Sequence, residues 1–322
     1  MPTIAPERAK TIHVAVGVVT DGEGRVLIAK RPEHAHQGGL WEFPGGKVEA
    51  GESLFTALDR ELFEELDIRV LATEPVIEII HDYGAKVVRL DVHRVSRFSG
   101  VPRGKEGQPL LWVRCDDLPG YDFPAANAPI LQALSLPDTL CITGSFASEE
   151  VFIECLQSAL GKGLSLVQLR AHELSDEQYL VLAQKSLDLC DQAGARLLLN
   201  RRCLPESLRE RVSAHGLHLD NTSLANLAEK PEAGLVGASC HSLEDLQRAA
   251  ALGLDYATLS PVAATASHPQ AAPMGWARFA ELVRQAKLPV YALGGMKQED
   301  LGKAKASGAQ GIAAIRAFWA AP

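Results

Sequence analysis

The sequence predicts a chain of α/β and α+β class in two tandem domains, the second a closed (β/α)8 barrel, and three observations carry the division and the barrel. The chain has 322 residues, whereas a single domain typically spans about 100 to 200. A short helical stretch from Leu131 to Leu136 is broken by Pro137 and Asp138, and a new pattern starts at Leu140. Beyond that break, eight short apolar runs follow one another: Leu140 to Thr143, Leu164 to Leu169, Arg196 to Asn200, Gly216 to Leu219, Leu235 to Cys240, Tyr256 to Ser260, Pro289 to Leu293 and Gly311 to Ile315. Amphipathic stretches such as Asp176 to Ala193 and Leu243 to Leu252 separate most of them. That is the alternation of a parallel sheet with crossover helices. Eight such units close into a barrel of the TIM type, with any site at the C-terminal ends of the strands. A doubly wound sheet fits less well, because no Gly-rich phosphate turn follows the first strand.

The resulting division is a first domain over residues 1–134, a linker over 135–139 and the barrel over 140–322. Hydrophobic residues make up 47% of the chain, enough for a packed core in each part. The net charge of −8 speaks against a direct nucleic-acid partner, which would call for a basic patch. It favours a small phosphorylated molecule that arrives with its own cation. Cys115, Cys141, Cys155, Cys190, Cys203 and Cys240 form no CxxC pair and read as small buried apolar residues of a reducing compartment. No charged-then-apolar leader opens the chain and no apolar run reaches ~18 residues, so the expectation is a cytoplasmic protein without a membrane partner.

The chemistry of the first domain concentrates between Gly45 and Ile68. Pro44, Gly45, Gly46 and Gly51 mark a turn, and a helix follows. Leu54, Leu58, Leu62 and Leu66, with Phe55, form an apolar stripe, while Glu61, Glu64 and Glu65 stand at i, i+3 and i+4 beside it. Such like charges repel by a few tenths of a kcal/mol per pair, roughly the i,i+4 penalty, so a cation or solvent must relieve them. Mg²⁺ suits three carboxylates: it is a hard ion held by oxygen together with substrate phosphates, and it neutralises charge developing on a phosphoryl oxygen. Arg60 can hold Glu61 ionised by charge-assisted hydrogen bonding.

The segment resembles the Nudix box, the pattern Gx5Ex7REUxEExGU with U a bulky aliphatic residue. Gly46, Glu52, Arg60, Glu61, Leu62, Glu64, Glu65 and Ile68 fall on its fixed positions, and Asp67 stands where the pattern has glycine. Aspartate tolerates the left-handed conformation of a helix C-cap better than most residues, so a small stability cost is expected there and no loss of chemistry. The resemblance implies a Nudix α/β/α sandwich with a mixed sheet. From about residue 12 to 134 it extends to the MutT-type 8-oxo-dGTP diphosphatases, through Lys30, Arg31, His36, Glu42, Phe43 and Pro44, through GKEGQP (Gly104 to Pro109) and through FPAAN (Phe123 to Asn127). It implies that the carbonyl of Gly45 and the carboxylates of Glu61, Glu64, Glu65 and Glu106 hold Mg²⁺, with Mn²⁺ as a substitute. Arg60 orients Glu61, and either Glu61 or Glu106 is the general base for an attacking water. Arg31, His36 and Lys47 fall on the substrate side. Phe43 lines the base pocket and Asn127 reads the oxidised guanine, a task that suits an amide because it offers both a donor and an acceptor. Asn127 also fits an N-cap before Ala128 to Leu134, and Phe43 a core position.

The barrel resembles the thiamine-phosphate synthase superfamily, which includes thiazole tautomerases. The likeness rests on VQLR (Val167 to Arg170), LLLN (Leu197 to Asn200), GLHL (Gly216 to Leu219), SCHSLEDL (Ser239 to Leu246), SPVAATAS (Ser260 to Ser267) and ALGGM (Ala292 to Met296). It implies a ligand site of Gln168, Arg170, Asn200, His241, Thr265, Ser267, Gly294, Gly295 and Arg316. His172 stands where the synthases carry lysine, and Arg201 and Ser223 stand where they hold Mg²⁺ with aspartate. A fixed positive charge at a cation site is strongly repulsive, so the synthase metal site is expected to be broken, and His268 and Arg316 alter the phosphate region. Altogether the sequence points to Mg²⁺-dependent hydrolysis of 8-oxo-dGTP to 8-oxo-dGMP and pyrophosphate, a sanitation of the nucleotide pool that spares DNA damage. Its alternatives are hydrolysis of a thiamine-pathway pyrimidine diphosphate, and a barrel that acts as a thiazole tautomerase or as a non-catalytic module for a thiamine-precursor phosphate.

Overall fold

The computed structural model describes residues 11–34, 37–82, 87–171, 173–200, 212–265 and 272–319. It divides into two compact units, Met1–Ser135 and Leu136–Pro322. In the first, β1 (Thr11–Val19), β4 (Gly45–Lys47), β5 (Arg69–Asp82) and β6 (Val87–Ser99) form a mixed sheet in the order β4-β1-β6-β5, with β1 parallel to β6 and the other pairs antiparallel. A second, antiparallel sheet has β2 (Val26–Lys30) between β3 (Trp41–Glu42) and β7 (Leu110–Val113). The period-2 alternation of β1 divides the core. Ala15 and Val19 pack with Leu58, Leu62 and Leu66 of α1 (Leu54–Leu66), while Val16 and Val18 share a cluster with Ile130 and Ala133 of α2 (Ala128–Ser135). The mixed-sheet α/β/α sandwich is therefore the observed fold.

Helix α1 starts at Ser53, whose side chain accepts the Thr56 amide at 3.1 Å. It ends at Asp67, which takes the left-handed conformation (φ 61°, ψ 31°) expected of it and donates its N–H to Leu62 and Phe63 carbonyls. The apolar stripe is buried at Leu58, Leu62 and Leu66, but Phe55 is 46% exposed, against its expected place in the core. The core cluster takes up α1 from Ala57 onward with Leu54 at its margin, so the first turn overhangs it.

The second unit is the expected barrel. Strands β8 (Thr139–Ile142), β9 (Leu166–Leu169), β10 (Arg196–Asn200), β11 (Gly216–Leu219), β12 (Leu235–Cys240), β13 (Tyr256–Leu259), β14 (Val290–Leu293) and β15 (Gly311–Ala314) close into one parallel ring, with β15 paired to β8. Outside lie α3 (Glu149–Gly161), α4 (Asp176–Gln192), α5 (Asn221–Asn226), α6 (Leu243–Ala251), α7 (Gly275–Val283) and α8 (Leu301–Ala306). The observed strands match the apolar runs to within two residues at each end. Helices α4 and α6 each begin in a serine capping box, at Ser175 and Ser242.

The inner layer of the barrel holds Leu140, Leu166, Leu198, Tyr256, Tyr291 and Ala313. Tyr256 fits because residue 237 is glycine: a Cβ there would lie 2.0 Å from the Tyr256 ring. Leu136 joins this layer, and the Tyr291 hydroxyl donates to the Pro137 carbonyl at 2.6 Å. Among the described residues no helix is long and apolar enough to cross a membrane.

Candidate functional sites

One face of α1 and the glycine turn before it assemble the carboxylates of the first unit. Arg60 is their organiser. Its Nε and Nη2 donate to the two oxygens of Glu52 at 3.0 and 2.9 Å, Nη2 also donates to the Lys47 carbonyl at 2.9 Å, and Nη1 donates to Glu61 at 2.8 Å. Glu64 stands 3.6 Å from the same guanidinium. A planar fork with this many bonds has one orientation, so Glu61 is held as the sequence suggested. The pairing also keeps the Glu52 carboxyl below the usual range. Glu52 lies on the sequence pattern without an assigned role, and the structure supplies one.

Glu65 accepts the Gly45 N–H at 3.2 Å. Burial pushes its carboxyl up to about 8; the Gly45 bond opposes this, and Glu42, Glu61 and Glu106 add repulsion. Burial likewise raises Glu42, although Arg31 pairs with it. Glu42 is thus a fourth neighbour of Glu65 that the site reading omitted, and Arg31 reaches the site as its partner. Among the described residues no group of three or more His, Cys, Asp or Glu side chains closes on a metal-sized point. The donor set nevertheless suits a hard divalent cation. Its carboxylates still repel one another at Glu65 beside the cations of Arg60 and Arg31, and substrate phosphates usually complete a Mg²⁺ shell. Gly46 keeps the space beside them open, since a Cβ there would sit 2.2 Å from the Glu61 carboxyl carbon.

Phe43 is 4% exposed and stacks on Phe123 with ring centroids 5.3 Å apart and planes 22° apart. Trp41 meets Tyr121 edge-on nearby in the same cluster. Asn127 ends the 3-10 turn Ala125–Asn127 that leads into α2, and it is 9% exposed. Its backbone N–H donates to the Pro124 carbonyl at 2.8 Å, and its side-chain amide carries both a donor and an acceptor. Lys47 lies exposed at the end of β4. His36 lies outside the described residues.

In the barrel, Gln168, Arg170, Asn200, His241, Thr265, Gly294, Gly295 and Arg316 all line one cavity of about 1330 Å³ at the C-terminal ends of the strands. Ser267, His172, Arg201 and His268 lie outside the described residues. Thr143 braces Arg170, accepting its N–H at 2.8 Å and donating to its carbonyl at 3.1 Å. Oε1 of Gln168, a residue 2% exposed, has no partner among the described residues, so a ligand donor is what it lacks. The Ser260 carbonyl, 2.9 Å from His241 Nδ1, can only accept, so Nδ1 is the donor in this contact. The N–H of Ser223 donates to Asp220 at 2.7 Å. Asp220, Ser239, His218 and Lys297 also line the cavity and were missed. Their signal was weak, because which side of a strand faces inward is fixed only when the ring closes.

His218 sits at the centre of this wall, 1% exposed, with Nδ1 2.8 Å from the Tyr256 hydroxyl and Nε2 2.9 Å from Ser239 Oγ. Burial lowers its pKa to about 4. The folded barrel therefore keeps it neutral while the unfolded chain, near 6.5, takes up a proton. Its contribution to stability is unchanged above pH 6.5, falls as the pH drops towards 4, and is fully lost below that. The loss amounts to about 3 kcal/mol at ~1.4 kcal/mol per pKa unit. Denaturant titrations of the full chain between pH 7 and 4 should show this slope, and His218→Asn should flatten it; equal slopes in the two proteins would contradict the assignment.

A glycine turn and a carboxylate-bearing helix on a mixed-sheet sandwich, joined to an eight-stranded parallel barrel with a polar mouth, define a two-domain enzyme of phosphate-bearing small molecules. The chain belongs to two families in tandem: residues 15–133 match the NUDIX domain, and residues 139–318 match thiamine monophosphate synthase. The barrel is similar to putative thiamine-phosphate synthase 2 of Aquifex aeolicus, 37% identical over 188 residues that make up 58% of this chain and 99% of that protein. The first unit is similar to two proteins of Escherichia coli. The 8-oxo-dGTP diphosphatase is 35% identical over 39% of this chain and 97% of its own length, and the CTP pyrophosphohydrolase 36% identical over 38% and 91%. The N-terminal unit is thus a Nudix hydrolase domain and the barrel a thiamine-phosphate synthase domain.

Proposed function

We propose that the Nudix unit hydrolyses 8-oxo-dGTP to 8-oxo-dGMP and pyrophosphate, and that the barrel binds a phosphorylated thiamine precursor. The observation that carries the first reading is the place of Asn127, 9% exposed, on the turn into α2, whose Ile130 shares a core with Phe43 and Phe123. A purine that carries an additional carbonyl oxygen and ring N–H would meet there both a donor and an acceptor. Mg²⁺, or Mn²⁺ in its place, would be held by Glu61, Glu64, Glu65, Glu106 and the Gly45 carbonyl, and it supplies charge that neutralises the phosphoryl oxygens. Arg60, fixed by Glu52 and the Lys47 carbonyl, holds Glu61 in place. Either Glu61 or Glu106 takes the proton of the attacking water. Lys47 meets the phosphates, as does Arg31 from beside Glu42. In the cytoplasm this reaction would remove an oxidised precursor before DNA synthesis uses it.

For the barrel, the cavity wall provides Arg170, Arg316 and the Gly294–Gly295 amides for a phosphate, and the open acceptor of Gln168 for the N–H of a ring. The covalent joining of the two units favours a second reading of the Nudix site, in which hydroxymethylpyrimidine diphosphate is the molecule cleaved. Phosphorus-31 NMR of the full-length protein with 8-oxo-dGTP and Mg²⁺ tests the first. Inorganic pyrophosphate is expected as the phosphorus product beside the monophosphate. Orthophosphate release, or no turnover while hydroxymethylpyrimidine diphosphate is cleaved, would overturn it.

A further inference from the structure

The loop that carries Glu106 is tied to the C-terminal end of α1. The Arg103 N–H donates to the Leu66 carbonyl and the Lys105 N–H to the Glu65 carbonyl, both at 3.0 Å. Gln108 Nε2 donates to the same Glu65 carbonyl at 3.1 Å, and its Oε1 accepts the Glu106 N–H at 2.9 Å. Lys105 Nζ donates to the Phe63 carbonyl at 3.1 Å and lies 4.3 Å from the centre of the Phe63 ring. The Glu65 and Leu66 carbonyls are among those that a helix end leaves without partners, and the loop takes them up, while the Phe63 carbonyl accepts the Asp67 N–H as well. Glu65 is the meeting point: its carboxylate belongs to the acidic cluster, while its carbonyl holds the segment that brings Glu106 close enough to act on Glu65 and Glu42.

Asp67 closes this joint. Its backbone turns the chain out of the helix in the left-handed conformation, and its carboxylate pairs with Arg103 and stands 3.6 Å from Lys105. Glycine, which the sequence pattern has at this position, would make the same turn with no side chain to hold the loop. Asp67 thus unites the cap with an anchor on both cations that flank the path to Glu106. The backbone is also close at this point, since a Cβ on Gly100 would lie 2.7 Å from the Asp67 carbonyl oxygen.

We propose that Asp67 is a positioning residue for Glu106: by anchoring Arg103 and Lys105 it fixes the loop on α1, so that Glu106 is placed in the cation site before substrate binds. The role given to Glu106 rests on the diphosphatase reading. Asp67 itself touches neither substrate nor the reacting atoms. Its effect therefore falls on cation affinity and loop order and leaves nucleotide recognition unchanged.

The test uses the full-length chain with Asp67→Asn, which keeps the shape and the left-handed tolerance but removes the charge, and with Asp67→Gly, which relieves the backbone as well. Three quantities are read: hydrogen exchange of the Arg103 and Lys105 amides without metal, Mn²⁺ affinity by electron paramagnetic resonance without nucleotide, and the Mg²⁺ concentration for half-maximal hydrolysis. Both variants should exchange the two amides about fivefold faster, the scale of one partly exposed charge pair. Both should bind Mn²⁺ and respond to Mg²⁺ about fivefold more weakly, with the nucleotide KM at saturating Mg²⁺ unchanged. In a Glu106→Gln background, Asp67→Asn should still speed exchange but no longer move Mn²⁺ affinity. Unchanged exchange and unchanged Mn²⁺ affinity in both variants would overturn the inference. A wild-type protein that binds Mn²⁺ but hydrolyses no nucleotide would instead overturn the diphosphatase reading, since the first two readouts need no turnover.

Discussion

Glu61→Gln is expected to lower kcat for nucleotide hydrolysis by about a thousandfold, in the range for losing a general base or a charged ligand at a phosphoryl centre, while the fold stays intact. The substitution changes charge and almost no volume. Arg60 keeps its two bonds to Glu52 and its bond to the Lys47 carbonyl, so the guanidinium is not orphaned when Glu61 becomes neutral. Gly46 leaves room beside the residue, and the amide occupies the space the carboxylate had. Steady-state rates at saturating Mg²⁺, with a thermal melt as the folding control, measure this. Activity within about tenfold of wild type would remove Glu61 from both the base and the ligand roles.

Asn127→Ala has the second large effect, and it falls on selectivity. Alanine there removes the amide and a few atoms of packing from a residue that is 9% exposed. A base edge that pairs with it loses both bonds at once. The preference for 8-oxo-dGTP over dGTP should fall by about a hundredfold, equivalent to roughly 3 kcal/mol. Turnover of dGTP at saturation should change far less. An equal loss on both nucleotides would mean that Asn127 supports the pocket without reading the base.

Much of this could be read from the chain because its periodicities are strong. Leu58, Leu62 and Leu66 specify a helix, and the three glutamates beside them share one ridge of it whatever the rest of the fold. The barrel strands are apolar on both faces, as buried parallel strands are, so their number and order were legible while their inward phase was not. Gln168 and Asn200 stood out in that apolar setting; His218, equally buried, did not, because a histidine inside GLHL gives no sign of the Tyr256 hydroxyl that meets it from β13. Phe55 shows the complementary limit, since its helical angle is that of a core residue and only the extent of the packed core decides its exposure. Glu42 and Glu52 mark another. Glu42 is visible as an acidic residue near the pattern and Glu52 as one on it, but their charges matter through Glu65 and Arg60, which contacts distant in sequence bring to them.

Whether the Nudix unit acts on an oxidised purine triphosphate is decided by kcat/KM of the wild-type full-length protein on 8-oxo-dGTP, dGTP, CTP and hydroxymethylpyrimidine diphosphate under one Mg²⁺ concentration. 8-oxo-dGTP is expected to lead dGTP by at least about a hundredfold and to lead the two pyrimidine compounds as well. Equal values for 8-oxo-dGTP and dGTP, or a higher value for either pyrimidine compound, would contradict it.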